Sequence, residues 1–241
     1  MPSSQDCPRF RWPALAYVFT KTDTGTTGGN PAQEVFTETI QSDGTAGSTG
    51  SGAPTSFNVN WHASTGGSTF VDANATISVL TFTSSELKLQ VAITNDSNFT
   101  SARLTAVGFD VDPAVSNQTI SGGSVFTHVS TSNFPSFQEV DICAYSGNNC
   151  AGGGNTGLAN NSSDTFTLDL TAPAGTFGAS NNLRVVLDDM ATKWQGNNPL
   201  SYELPGVPGS SPPPPVPEPT TLTLLGSALA GLGILFRRRR R

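Results

Sequence analysis

Apolar residues that recur at every second position constrain this chain most, because that period fits a strand with one buried face and fits no helix. Leu87, Leu89, Val91 and Ile93 alternate with Glu86, Lys88, Gln90 and Thr94. The same period runs through Val107, Phe109 and Val111; Val140, Ile142 and Ala144; Phe166, Leu168 and Leu170; and Leu183, Val185 and Leu187. Gln33 to Ile40 reads as a further strand. Between Ile77 and Val79 on one side and Leu80 and Phe82 on the other the apolar phase slips, the mark of a bulge. No stretch before Pro217 carries apolar spacing at 3.6 residues, and Gly, Pro and Asn clusters punctuate the strands. Seven to nine short strands of this kind predict an all-β fold, an antiparallel β-sandwich with a jelly-roll-like order.

The organisation follows from shifts in composition. Residues 1–55 are rich in Gly, Thr and Ser from Thr22 onward and predict a poorly ordered or edge region. Residues 56–205 hold the sandwich. Residues 206–215, with Pro212 to Pro215 at the centre, predict an extended polyproline linker of roughly 3.1 Å per residue. Residues 216–241 differ in kind: Val216, Pro217, Glu218 and Pro219, then an uncharged apolar run from Thr220 to Phe236, then Arg237, Arg238, Arg239, Arg240 and Arg241. As a helix that run reaches about 25 Å, slightly short of a hydrocarbon core of about 30 Å. Five arginines are costly to move through a bilayer, so they act as a stop-transfer signal on the cytoplasmic side. The tail therefore predicts one C-terminal transmembrane helix with all that precedes Pro217 outside the cytoplasm.

The order Val-Pro-Glu-Pro, short apolar helix and terminal arginine cluster resembles the PEP-CTERM sorting signal of Gram-negative bacteria. The resemblance implies an exosortase, a membrane cysteine protease or transpeptidase, as partner. That enzyme reads Val216 to Pro219 and removes the helix and the arginines. It also implies an inner-membrane-anchored precursor that ends at the cell surface or outside the cell, in contact with exopolysaccharide. Val107 to Pro113 and the Cys143 to Cys150 loop are similar to the ectodomains of PEP-CTERM proteins called cistern-type. A GPI signal ends apolar, and a sortase signal needs Leu-Pro-x-Thr-Gly, which Leu204-Pro205-Gly206-Val207-Pro208 does not supply. A permanent single-span anchor is the remaining alternative. Near the N-terminus, Trp12 to Phe19 is a short apolar run broken by Pro13, a poor signal-peptide core, so the export signal is expected upstream.

Charge excludes one class of partner. Glu218 is the only acidic residue of the tail and five of the twelve basic residues end it, so residues 1–216 hold seventeen acidic and seven basic groups, a net charge near −10. Nucleic acid is disfavoured. Of three cysteines, Cys143 and Cys150 flank a turn-forming Ser-Gly-Asn-Asn and are expected to form a disulfide, the state that an oxidising compartment favours, with Cys7 left over.

Chemistry-bearing patterns are few. Asp110 and Asp112 share a strand face, and Asp188 and Asp189 are expected at another strand's end; clustered carboxylates at a sandwich edge are candidate calcium ligands, or solvated charges that deter edge pairing. Gly152 to Gly157 satisfies G-x-G-x-x-G but lacks the strand before and helix after that a dinucleotide site needs. His62 and His128 stand outside any metal motif, and G-x-S-x-G is absent. Trp61, Trp194, Tyr145 and Tyr202 are candidates for sugar stacking, with core or edge packing the expected role. These patterns predict no enzyme and no obligatory cofactor, but a structural or adhesive protein of the envelope or exopolysaccharide. A calcium-dependent carbohydrate-binding module is the alternative, and a hydrolase stands further off.

Overall fold

The computed structural model describes residues 17–27, 33–42, 56–133, 139–152, 156–179, 182–196 and 201–209. Of the 206–215 linker, Val207 and Pro208 form a strand rather than an extended spacer, and residues 210–215 lie outside the described residues, as do the sorting tail with Val216 to Pro219 and Arg237 to Arg241, residues 1–16 and with them Cys7. Among those described, thirteen strands run in order: β1 (Tyr17–Thr27), β2 (Gln33–Ser42), β3 (Ser56–Gly66), β4 (Thr69–Phe82), β5 (Glu86–Asn95), β6 (Arg103–Asp112), β7 (Asn117–Ser121), β8 (His128–Asn133), β9 (Glu139–Tyr145), β10 (Ser162–Thr171), β11 (Arg184–Gln195), β12 (Ser201–Pro205) and β13 (Val207–Pro208). They build two sheets, both antiparallel. The seven-stranded sheet has the order β1-β2-β11-β6-β9-β8 with β12 added on β11, and the six-stranded sheet has the order β13-β3-β4-β5-β10-β7.

Alternation along each strand explains why two sheets meet. Phe57, Val59 and Trp61 of β3 turn inward with Leu87, Leu89, Val91 and Ile93 of β5, and from the other sheet come Val107, Phe109 and Val111 of β6 and Val185 and Leu187 of β11; all belong to one buried cluster. Residues of both sheets, among them Trp61, Val107, Phe109 and Met190, line one apolar void of only about 10 Å³ at its centre. Each large apolar side chain removed from water this way contributes about 1.5–3 kcal/mol. Strands appear at all the expected places, 33–40, 87–93, 107–111, 140–144, 166–170 and 183–187, but in β9 only Ile142 and Ala144 share the inward face; Val140 packs with Cys143 in a separate cluster.

The additional strands carry little apolar signal. β7 alternates exposed and half-buried residues with Ile120 as its one aliphatic, and β8 reads His-Val-Ser-Thr-Ser-Asn. Each closes one edge of a sheet, where neighbouring backbone supplies the ordering. The paired backbone also extends past residues 56–205 on both sides. β2 pairs β11 and places Ile40 in the core, while β13 pairs β3.

Register shifts interrupt several of the strand pairings, and three of them re-phase β4, β6 and β11. In β4 the register jumps between Val79 and Thr81, and Leu80 is half exposed, as the phase slip predicts. In β6 and β11 it jumps again between Lys193 and Trp194. The third jump matters most: Asp188 lies opposite Asp110 and Ala191 opposite Gly108, so Asp189 and Met190 together face Phe109. Asp189 takes φ 46°, the left-handed region that Asp tolerates better than most residues. The inward series Val185 and Leu187 thereby resumes as Met190 and Trp194. At the bulge, the Met190 carbonyl accepts from Trp61 Nε1 of the opposite sheet at 3.4 Å and from the Gly206 amide. Gly206 joins β12 of one sheet to β13 of the other; a Cβ there would lie 2.7 Å from Val59 Cγ1, so only glycine passes.

Candidate functional site

The outer face of the seven-stranded sheet gathers the aspartates. Because Val111 and Leu187 point inward, Asp110 and Asp188 point outward, and the register sets them directly opposite each other. β9 brings a third residue. Beyond the Phe109–Ile142 pair, the Asp141 amide donates to Asp110 Oδ1 at 2.9 Å and the Val111 amide donates to Asp141 Oδ2 at 3.1 Å. The carboxylates thus finish the β6–β9 ladder where its main-chain pairing stops. Asp189 lies close enough for its carboxyl and that of Asp110 to influence each other.

Electrostatics follow from that crowding. Burial pushes the Asp110 carboxyl up to about 6, and the charges of Asp141, Asp189 and Asp188 add to the rise, against the opposing pull of the Asp141 amide. Asp188 is raised by burial first and then by Asp189, Asp112 and Asp141. Asp189 is raised by burial, offset by its interaction with Asp110. Asp112, the remaining candidate, is exposed at the end of β6. Asp188 and Asp189 lie mid-strand, not at a strand end, because the bulge lets β11 continue to Gln195. The aspartates share a field more than a common centre: among the described residues, no three His, Cys, Asp or Glu side chains are grouped to hold one metal ion. Asp141 escaped the sequence reading: a register shift between β8 and β9 breaks the alternation there, so Val140 packs with Cys143 while Ile142 joins the main core.

Beside this row, Cys143 and Cys150 form the disulfide, with Cα atoms 6.3 Å apart. Both are fully buried, and with Ala106, Val140 and Ala191 they make a second, small apolar cluster on the outer side of the sheet. Next to it Lys193 and Glu203 face each other across β11 and β12 and form a buried ion pair.

Other candidates separate. Trp61 and Trp194 are buried in the core and offer no platform. His62 lies exposed on β3, 3.3 Å from Asp72, while His128 stacks on Tyr145 at a centroid distance of 5.3 Å on the other sheet. Of the Gly152 to Gly157 loop, residues 153–155 lie outside the described residues; Leu158 just after it bridges Leu104 of β6 through two backbone hydrogen bonds, with no helix.

A further carboxylate was not anticipated. Asp164 at the start of β10 faces inward and is nearly buried, and it accepts from the amides of Ser124, Val125 and Phe126 and from the Ser124 hydroxyl, each at 2.9 Å. These donors hold its carboxyl below the usual range although burial alone would raise it.

Residues 215–241 match the family model of the PEP-CTERM protein-sorting motif. No curated protein and no solved structure matches the chain.

Proposed function

We propose, from the PEP-CTERM motif that closes this chain, that it is an exosortase substrate with a non-catalytic structural or adhesive role in the envelope or exopolysaccharide. The motif at 215–241 is the observation that carries the reading. The precursor sits in the inner membrane by its tail, with the folded region exported, and processing after recognition of Val216, Pro217, Glu218 and Pro219 releases it to the surface or the matrix. In a host that contains an exosortase, the intact mass of the mature protein should lack Arg237 to Arg241, and Glu218→Ala should accumulate the precursor. Recovery of the five arginines on mature protein leaves only the permanent anchor.

The non-catalytic half of the proposal draws on where the titratable groups lie. General acid–base work needs a pair held around a pocket. Here the aspartate row lies on a sheet's outer face, and the two histidines sit on different sheets with exposed rings. Hydrolysis of a polysaccharide, abolished by changing a single carboxylate, would refute it.

The second reading, a calcium-dependent carbohydrate-binding module, draws on one observation: Asp110, Asp141, Asp188 and Asp189 crowd one outer face closely enough to raise one another, although they are not grouped around a single centre. A cation that binds only the folded form stabilises it by about 2.7 kcal/mol at a hundred-fold excess over its dissociation constant. A melting temperature indifferent to millimolar calcium removes this alternative.

A further inference from the structure

The outer face of the six-stranded sheet is built differently from the aspartate row. Phe57, Val59 and Trp61 point inward, so Asn58, Asn60 and His62 point outward, and the register places them opposite Thr76, Asn74 and Asp72 of β4. One row continues across two more strands: Asn74 is paired with Thr94 of β5, and Thr94 with Ser163 of β10. Strands lie about 4.8 Å apart, so this row sets an amide, an amide, a hydroxyl and a hydroxyl at regular intervals along a pleated surface. Asn58, Asn60, Asp72, Asn74, Thr76 and Asp96 enclose an open groove of about 410 Å³ over β3 and β4. That volume lies within the usual range of small-molecule sites, about 300–1,000 Å³.

Its chemistry is uniform. Thr76 Oγ1 donates to Asn58 Oδ1 at 2.9 Å, and Asn74 Nδ2 donates to Asp96 Oδ2. Those bonds orient the amides. Among the described residues the Asn60 side chain between them has no hydrogen-bond partner, and it is half-buried in the groove. At one end the His62 ring meets Phe70 at 5.5 Å, beside Asp72.

These features discriminate among occupants. No lysine or arginine lines the groove while two aspartates do, which repels phosphate, sulfate or uronate chains. No exposed apolar side chain lines it either, so the desolvated anchor of a protein interface is missing. Each amide offers both donor and acceptor and each carboxylate offers acceptors, which is the complement of vicinal hydroxyls that donate and accept at once. The adjoining ring pair supplies an apolar face of the kind that packs on a sugar's C–H surface.

We propose that the groove over β3 and β4 binds a neutral polysaccharide whose hydroxyls exchange direct hydrogen bonds with the Asn60 and Asn74 amides and donate to Asp72 and Asp96, with the His62–Phe70 pair flanking the chain. This names the partner within the reading of the chain as a displayed adhesive protein, and it rests on that reading. The test is affinity electrophoresis of the full-length chain through gels that contain soluble α-glucan, β-glucan, β-mannan or β-galactan, with polygalacturonate as the anionic control and with calcium or a chelator throughout. Retardation is expected in at least one neutral polymer, unchanged by the chelator and absent in polygalacturonate. Asn60→Ala and Asn74→Ala should each weaken it about tenfold, with melting temperatures within error of the parent, whereas Asp110→Asn should leave it intact. No retardation in any of the four neutral polymers overturns the proposal, as does equal retardation by polygalacturonate or complete dependence on calcium. If both alanine variants melt early, Asn60→Asp keeps the test sharp, since it preserves size and adds charge; unchanged binding by it also overturns the proposal. Intact-mass measurement of the tail is independent of these gels, so a protein that is processed and displayed but not retarded sinks the groove alone.

Discussion

Asp164 and Asp110 are the same residue type, both withdrawn from solvent, one on each sheet of the sandwich, and their carboxyls shift in opposite directions. Asp164 is the more deeply buried, at 6 % exposure, yet its carboxyl lies below the ordinary range, whereas half-buried Asp110 is pushed up to about 6. Burial therefore does not decide the sign. Four donors converge on Asp164 from the 124–126 turn and dominate its environment; Asp110 receives one amide bond and shares its face with Asp141, Asp188 and Asp189. A carboxylate is stabilised by N–H and O–H groups already aimed at it and destabilised by like charges that water cannot fully screen. The first site is a structural clasp. The second stores repulsion on an accessible surface.

The contrast is broken most directly at the clasp. Asp164→Ala leaves three backbone donors and a hydroxyl without their acceptor, and the cost is expected at about 3–5 kcal/mol by chemical denaturation. A loss below about 1 kcal/mol would mean that the turn finds other acceptors. Sign sharpens the same point: because the folded-state pKa is lowered, the contribution of Asp164 is present above its unfolded value near 4 and is lost as pH falls below it. The gap between parent and Asp164→Ala should narrow in acid.

Next in size is the disulfide beside the aspartate row. Joint replacement of Cys143 and Cys150 by serine should cost about 2 kcal/mol, the value for a short closed loop, and peptide mapping without reductant should recover the two cysteines linked.

The aspartate row should respond in the opposite sense to the clasp. Asp110→Asn keeps an acceptor for the Asp141 amide and removes one charge, so at neutral pH it should stabilise by about 1 kcal/mol after allowance for solvent screening of a half-exposed group. Since the folded-state pKa of Asp110 is raised, its favourable contribution is complete below about 4 and is lost as pH rises through about 6. Melting curves of parent and variant should therefore converge near pH 4 and separate toward pH 7. The smallest effect is expected at Asp112, exposed at the end of β6, where Asp112→Asn should change stability by less than about 0.5 kcal/mol.

How much of this was legible residue by residue follows one physical distinction. Alternation in Leu87 to Ile93 and in Val107 to Val111 told which side chains face inward, and the phase slip at Leu80 told where a bulge falls. The disulfide was legible because its cysteines are separated by a turn. β7 and β8 were silent, since an edge strand is ordered by its neighbour's backbone and needs no apolar period of its own. The continuation of β11 past Asp189 was hidden by a left-handed residue that shifts the phase, so two mid-strand aspartates read as a strand's end. Asp164 and the Asn60 groove carried no signal, because a lone Asp or Asn before an alternating run is ordinary until its partners are known.

The sequence by itself determined inside and outside along the regularly alternating strands, the class of fold and the sorting motif at 215–241, because those are properties of neighbours a few residues apart. Tertiary structure alone decided which outward residues stand together: Asp110 with Asp188 and Asp141, Asn60 with Asn74 and Thr94, Asp164 with the turn at Ser124. The reason is register. A strand's period of two fixes its own faces, but the residue that lies across from it is set by the packing of distant segments, and a slip of two positions would exchange every partner while leaving the inward and outward faces of each strand unchanged.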